Sequence, residues 1–187
     1  MVGITLGLRM SNNRSGTERI RSLIGMLTLG LALVFGLVPA GAAHAQTSPE
    51  DRARFVSITR KLEEAPLQSN GRADRAWALR WLTEVPDVSV TVCPNSLGGL
   101  DGDYPYAGEI TLQYVFEMAV LVIERPEMAN DQNAQQVAGV AGALKAYRAI
   151  LGSEPGAKST ILDSLLEVEA RGGLTDFILS GAASCSA

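Results

Sequence analysis

An all-α domain of five or six helices, stapled by one disulfide and preceded by a cleaved export signal, is the fold this sequence predicts. Three observations carry that reading. Segments with apolar residues three and four positions apart follow one another between proline and glycine breaks. Only residues 88–92, Val-Ser-Val-Thr-Val, alternate with period two, and one strand has no sheet to join. The two cysteines, Cys93 and Cys185, lie behind an apolar stretch with the layout of a secretory signal.

Residues 23–38 carry no charge. Arg9, Arg14, Arg19 and Arg21 precede them against a single acid, Glu18, and Ala43-His44-Ala45 follows. Basic, apolar and small-residue regions in that order predict a signal peptide over 1–45, cut after Ala45, and a single helical domain over 46–187. The apolar run is shorter than the ~20 residues a spanning helix needs, so no stable membrane insertion is expected after cleavage. The mature chain then has 142 of the 187 residues, with 12 basic and 19 acidic side chains, and its net charge moves from −4 to −7. Such a charge repels nucleic acid and anionic lipid, and no nucleic-acid partner is expected.

Cleavage also removes His44, the only histidine. Ser-His-Asp and Cys-His chemistry both need an imidazole base, and most zinc sites use one. A histidine-based active site is thereby excluded from the mature chain, and no metal or cofactor is expected. In an oxidising compartment Cys93 and Cys185 read as a disulfide that pins the C-terminal tail to mid-chain. The loop it closes spans 92 residues, for which chain entropy suggests about 4–5 kcal/mol.

Each helix has its own signals. Ser48-Pro49-Glu50-Asp51 supplies a hydroxyl cap, a first-turn proline and first-turn acids, and Phe55, Ile58 and Leu62 follow, giving a helix near 49–65. A second runs over about 72–84 with Ala73, Trp77 and Trp81 on one face. The tryptophan pair reads either as a core anchor or as a ligand shelf. Residues 88–92 are an extended segment or the tail of that helix. A third helix, about 109–124, has Glu109, Gln113 and Glu117 as a polar stripe and six apolar residues from Met118 to Ile123, the pattern of a central core helix. Asn130 or Asp131 caps a fourth to about Leu151, with Val137, Val140, Ala141, Leu144, Tyr147 and Leu151 on one face. In that helix Ala138, Gly139 and Gly142 let a neighbour approach closely. Thr160 and Asp163 have capping-box spacing at the start of a fifth, which Gly172-Gly173 ends before a short sixth begins at Thr175-Asp176.

Between the second and third helices, residues 94–108 hold four glycines and two prolines. Asp101-Gly102-Asp103 invites a calcium reading, but an EF-hand loop would need an oxygen ligand, a glycine and a glutamate where Pro105, Tyr106 and Leu112 stand. Nor does a Lys-Ser/Thr pair follow the glycines, as a phosphate loop requires. Asp101, Asp103, Tyr104 and Tyr106, with Trp77 and Trp81, form the candidate binding surface. The loop reads equally as a plain connection.

Cys93-Pro94, then Ile110-Thr111-Leu112-Gln113, then Pro126-Glu127, then Ala143-Leu144-Lys145-Ala146-Tyr147 stand in an order that resembles the Tai/Rap-type immunity proteins of type VI secretion. The resemblance covers residues 93–150. It implies a small, periplasmic, helical protein that neutralises a cell-wall-degrading effector by occluding its active site. Arg148 stands where that family's closing cysteine would fall, and no inhibitory residue carries over.

The expected role is a periplasmic or secreted, non-enzymatic binding protein whose partner is another periplasmic protein, an immunity-type inhibitor being its sharpest form. The alternatives are a small-ligand carrier, with the tryptophans and tyrosines lining a pocket, and a carboxylate-dependent enzyme acting on glycans through Glu109, Glu117 or Asp101. Glu109 and Glu117 are separated by about 12 Å along a helix axis, beyond the roughly 5–9.5 Å of a glycosidase pair.

Overall fold

A computed structural model describes residues 47–100 and 102–180, all within the unit Gly41–Ala187. The predicted signal over 1–45, Asp101 and Cys185 lie outside the described residues. Six α-helices follow in order: α1 (Pro49–Glu64), α2 (Gly71–Glu84), α3 (Ala107–Glu124), α4 (Gln132–Ser153), α5 (Thr160–Ala170) and α6 (Leu174–Leu179). Short 3-10 turns at Pro94–Leu97 and Pro126–Met128 stand before α3 and α4.

Capping side chains account for the starts of α1, α4 and α5. Ser48 Oγ accepts from Asp51 N at 3.0 Å with Pro49 in the first turn, and Asp131 Oδ1 accepts from Ala134 N at 2.9 Å. At α5 the reading is corrected. Ser159 is the cap, accepting from Leu162 N at 3.4 Å, and Thr160 is already helical. Ser159 has the extended backbone a cap requires, which places the first turn one residue earlier than the Thr160–Asp163 spacing suggests.

α3 is central, as its composition predicts. One side joins α1 and α2 through a core of Phe55, Ile58, Leu62, Ala78, Val88, Phe116, Ala119 and Val120. The other side joins α4, α5 and α6 through Ile110, Tyr114, Met118, Val140, Leu144, Tyr147, Ile150, Leu162 and Ile178. Each large side chain fully buried in these layers contributes about 1.5–3 kcal/mol of transfer free energy.

Two residues of the α3 polar stripe are not solvated. Gln113 and Glu117 are 2% and 5% exposed: Gln113 turns to Thr59 O of α1, and α4 comes onto Glu117 at Gly142. A Cβ on Gly139 would lie 2.8 Å from the Tyr114 carbonyl oxygen, and one on Gly142 would lie 2.0 Å from Glu117 Cγ. The core face of α4 is therefore the side of Gly139, Gly142, Ala143, Ala146 and Tyr147. Val137, Ala141 and Leu151, expected in the core, are only partly buried.

Residues 88–92 form neither a strand nor a helix tail; α2 ends at Glu84. They are extended, with Val88 buried and Val90 half-buried against both cores. Side chains supply the bonds a sheet would give: Gln136 Nε2 donates to Thr91 O at 2.7 Å, and Cys93 N donates to Tyr114 Oη at 3.2 Å. Tyr114 Oη and Ser96 Oγ both donate to Gln136 Oε1, so one glutamine ties this segment to the central helix pair.

Tyr147 holds the start of α5. Its hydroxyl donates to Asp163 Oδ1 at 2.8 Å and accepts from Ser159 N at 2.8 Å, and burial raises its pKa. Tyr147→Phe is expected to leave that N–H without its partner and to cost about 1–3 kcal/mol in urea unfolding.

Candidate functional site

Three helices converge on a cluster of charges. α1 contributes Arg60 and Glu63, α3 contributes Gln113, Glu117 and Glu124, and α4 contributes Lys145. Arg60 Nη1 donates to Glu117 Oε2 at 2.9 Å and lies 3.8 Å from Glu63 Oε2, while Nη2 reaches Glu124 Oε2 at 3.3 Å. Gln113 Nε2 donates to Glu117 Oε1 and to Thr59 O, each at 3.2 Å. Lys145 Nζ sits 3.2 Å from Glu63 Oε1, an ion pair whose alignment does not make a hydrogen bond.

The carboxylates of Glu117 and Glu63 are buried, whereas the cations facing them keep 40% (Arg60) and 57% (Lys145) of their side chains in solvent. Burial, and then the neighbouring charge of Glu63, push the Glu117 carboxyl up to about 7, against the pull of Arg60 and Lys145. Arg60, Glu117, Glu124, Arg125 and Lys145 line a cleft of about 180 Å³. Both Glu117 oxygens are engaged within the fold. Glu109 stands apart, 3.9 Å from Arg75 of α2.

The sequence-derived candidates divide between the two cores. Trp77 and Trp81 stack with ring centres 6.2 Å apart, Phe55 lies 4.7 Å from Trp81, and the Arg54 guanidinium covers Trp77 at 3.9 Å. Both rings are half-buried against the core of α1, α2 and α3, and the exposed Arg54 covers Trp77 from outside. Tyr104 is 9% exposed, belongs to the other core and donates to Ala157 O at 3.0 Å; burial raises its phenol to about 12. Tyr106 meets it edge-on at 6.0 Å, and Asp103 is exposed. The tyrosines are therefore brought together with α4 and α5, not with the tryptophans.

A further feature lies on the outer side of α4. Ala134, Val137, Ala138 and Ala141, with Thr175 and Leu179 of α6, wall an open groove of about 450 Å³ with Arg125 and Asp131 on its lining. Leu179 is 59% exposed. Ala138, Ala141 and Arg125 also line the charged cleft, so groove and cleft share a wall. Sequence reasoning missed both Glu63 and the groove. Glu63 stands in an ordinary polar helix end, and Val137 and Ala141 read as core.

Among the described residues, no group of three or more His, Cys, Asp or Glu side chains is placed to hold a metal ion, and no helix is long and apolar enough to cross a membrane. Comparison with protein-family models, with curated proteins and with solved structures finds no match.

Proposed function

We propose that the mature chain is a periplasmic or secreted, non-enzymatic interaction protein that docks another protein on the outer face of α4. An immunity-type inhibitor of a cell-wall-degrading effector is the sharpest form of that reading. The observation that carries it is the groove of about 450 Å³ between α4 and α6. Its alanines leave room for bulky side chains of a partner, each worth about 1.5–3 kcal/mol when buried, and Arg125 and Asp131 offer both signs of charge to fix orientation.

Export is supported by the 1–45 pattern, and the inhibitor role by the ordered segments between Cys93 and Tyr147. The Cys93–Cys185 bridge belongs to the same proposal. Cys93 is 1% exposed, and the described residues include no free cysteine.

The test is affinity capture with oxidised 46–187 produced in the periplasm, beside Ala138→Arg, which fills the groove, and Cys93→Ser. One stoichiometric partner is expected for the parent and at least about a tenfold loss for Ala138→Arg, equivalent to ~1.4 kcal/mol, with helix content unchanged. Equal capture by Ala138→Arg would remove the groove from the interaction. The same volume falls in the roughly 300–1,000 Å³ range of small-ligand pockets. A blank capture combined with saturable binding of a small apolar ligand, lost in Ala138→Arg, would favour the carrier reading.

A further inference from the structure

We propose that a hollow at the start of α1 is the seat of the processed N-terminus, and that Gln46, freed by the cut after Ala45, closes there to a pyroglutamyl ring. The inference rests on the export part of the proposed function and is independent of the α4 groove. Thr47 and Arg52 at the start of α1, Asp87 after α2, Val122 of α3, and Pro126 and Ala129 of the turn that follows line an open cleft of about 540 Å³. Among the described residues it shares no lining side chain with the groove or with the charged cleft.

Connectivity brings the new terminus to this place. Thr47 Oγ1 donates to Asp87 Oδ1 at 2.6 Å, and Ser48 caps α1, so the two residues that follow Gln46 are tied to the fold. A trans peptide separates successive Cα atoms by about 3.8 Å, which keeps a terminus one residue long at the cleft wall. The lining decides what the cleft accepts. Arg52 and Asp87 pair with each other, so the lining carries no net charge, and Val122, Pro126 and Ala129 give it apolar walls. A free α-ammonium would stand against Arg52 and the positive end of α1. A neutral lactam, with one N–H and one ring carbonyl, matches the lining without that opposition.

The step needs no co-reactant. The free-base α-nitrogen of Gln46 attacks Cδ of its own carboxamide and the N–Cδ bond forms. The Cδ–Nε2 bond breaks, one amine proton passes to Nε2, and ammonia leaves. The reacting amine exists only after the signal has been cut, so closure follows processing. The product has no free α-amine for an exopeptidase to grip, and its ring docks the start of α1 against Asp87 and the α3–α4 turn.

The purified processed protein, labelled at its free amines before digestion, tests the ring. Its N-terminal peptide is expected to begin at Gln46, to be lighter by one ammonia and to carry no label. Pyroglutamyl aminopeptidase tests the seat. Removal of the ring from the folded protein is expected to be at least about tenfold slower than from a synthetic peptide of residues 46–53 with the same ring. Asp87→Ala releases Thr47, and Ala129→Trp fills the cleft from an exposed position. A rise of at least about threefold in removal from either folded variant supports the seat. A labelled Gln46 amine would overturn the proposal, as would equal removal from protein and peptide, or removal from both variants at the parent's rate. A chain beginning at His44 would overturn it together with the predicted cut, and would leave the groove reading standing.

Discussion

Gly142→Ala is expected to destabilise the protein by about 2–3 kcal/mol, although alanine is the better helix former by about 1 kcal/mol. The added methyl meets Glu117 Cγ at 2.0 Å and Cβ at 2.8 Å. A Cβ is fixed to its own backbone, so no side-chain rotation relieves the contact, and α4 must move off α3. That movement separates Glu117 from Arg60 and Gln113, which adds the cost of a buried carboxylate with loosened partners. Gly152→Ala is the control. Nothing lies within 4 Å of its position, so the propensity term acts alone and the change is expected to be neutral or slightly stabilising. Urea midpoints of the three proteins decide the matter; equal midpoints for Gly142→Ala and the parent would contradict the α3–α4 contact described above.

Phe55→Ala is the second large effect, expected at about 3–5 kcal/mol. Phe55 is fully buried and joins three elements: its ring tilts against Trp81 at 4.7 Å and meets Phe116 edge-on at 5.6 Å. Truncation leaves a void bounded by α1, α2 and α3 that none of them can close without losing other contacts. Because Trp81 loses its neighbour, the tryptophan emission is also expected to shift to the red in the folded variant. A midpoint within about 1 kcal/mol of the parent would mean that the α1–α2 layer can collapse around the void.

The helices were legible because their signals are local. Caps such as Ser48 and Asp131, and prolines such as Pro49, act within one turn, and the apolar run from Met118 needs no knowledge of its neighbours to be recognised as central. What stayed hidden was non-local. The alternation of Val88, Ser89, Val90, Thr91 and Val92 reports an extended backbone with one face buried. It does not report that Gln136 of α4, rather than a strand, bonds to it. Glu109, Gln113 and Glu117 look like a solvated stripe because their polarity is visible and the partners of Gln113 and Glu117 are not. Arg60 is distant in sequence, and Gly142 has no side chain to announce a contact. The glycines of α4 were the available clue, since a close approach must be made against something. Read together with the α3 stripe, they would have placed Glu117 in the interior. Asp101 and Cys185 lie outside the described residues; of the other loop candidates, Tyr104 is buried in the core shared with α4 and Asp103 is exposed.

The central claim is that this helical domain acts by binding a partner rather than by chemistry of its own, and titration of the captured partner tests it most directly. With a wall-degrading enzyme as partner, hydrolysis of purified cell wall is expected to fall linearly to background at one equivalent of the oxidised domain. The same titration with Ala138→Arg is expected to leave it active. Undiminished hydrolysis at a large excess of the parent would contradict the inhibitor role, and wall hydrolysis by the domain itself, abolished in Glu117→Gln, would contradict the claim altogether.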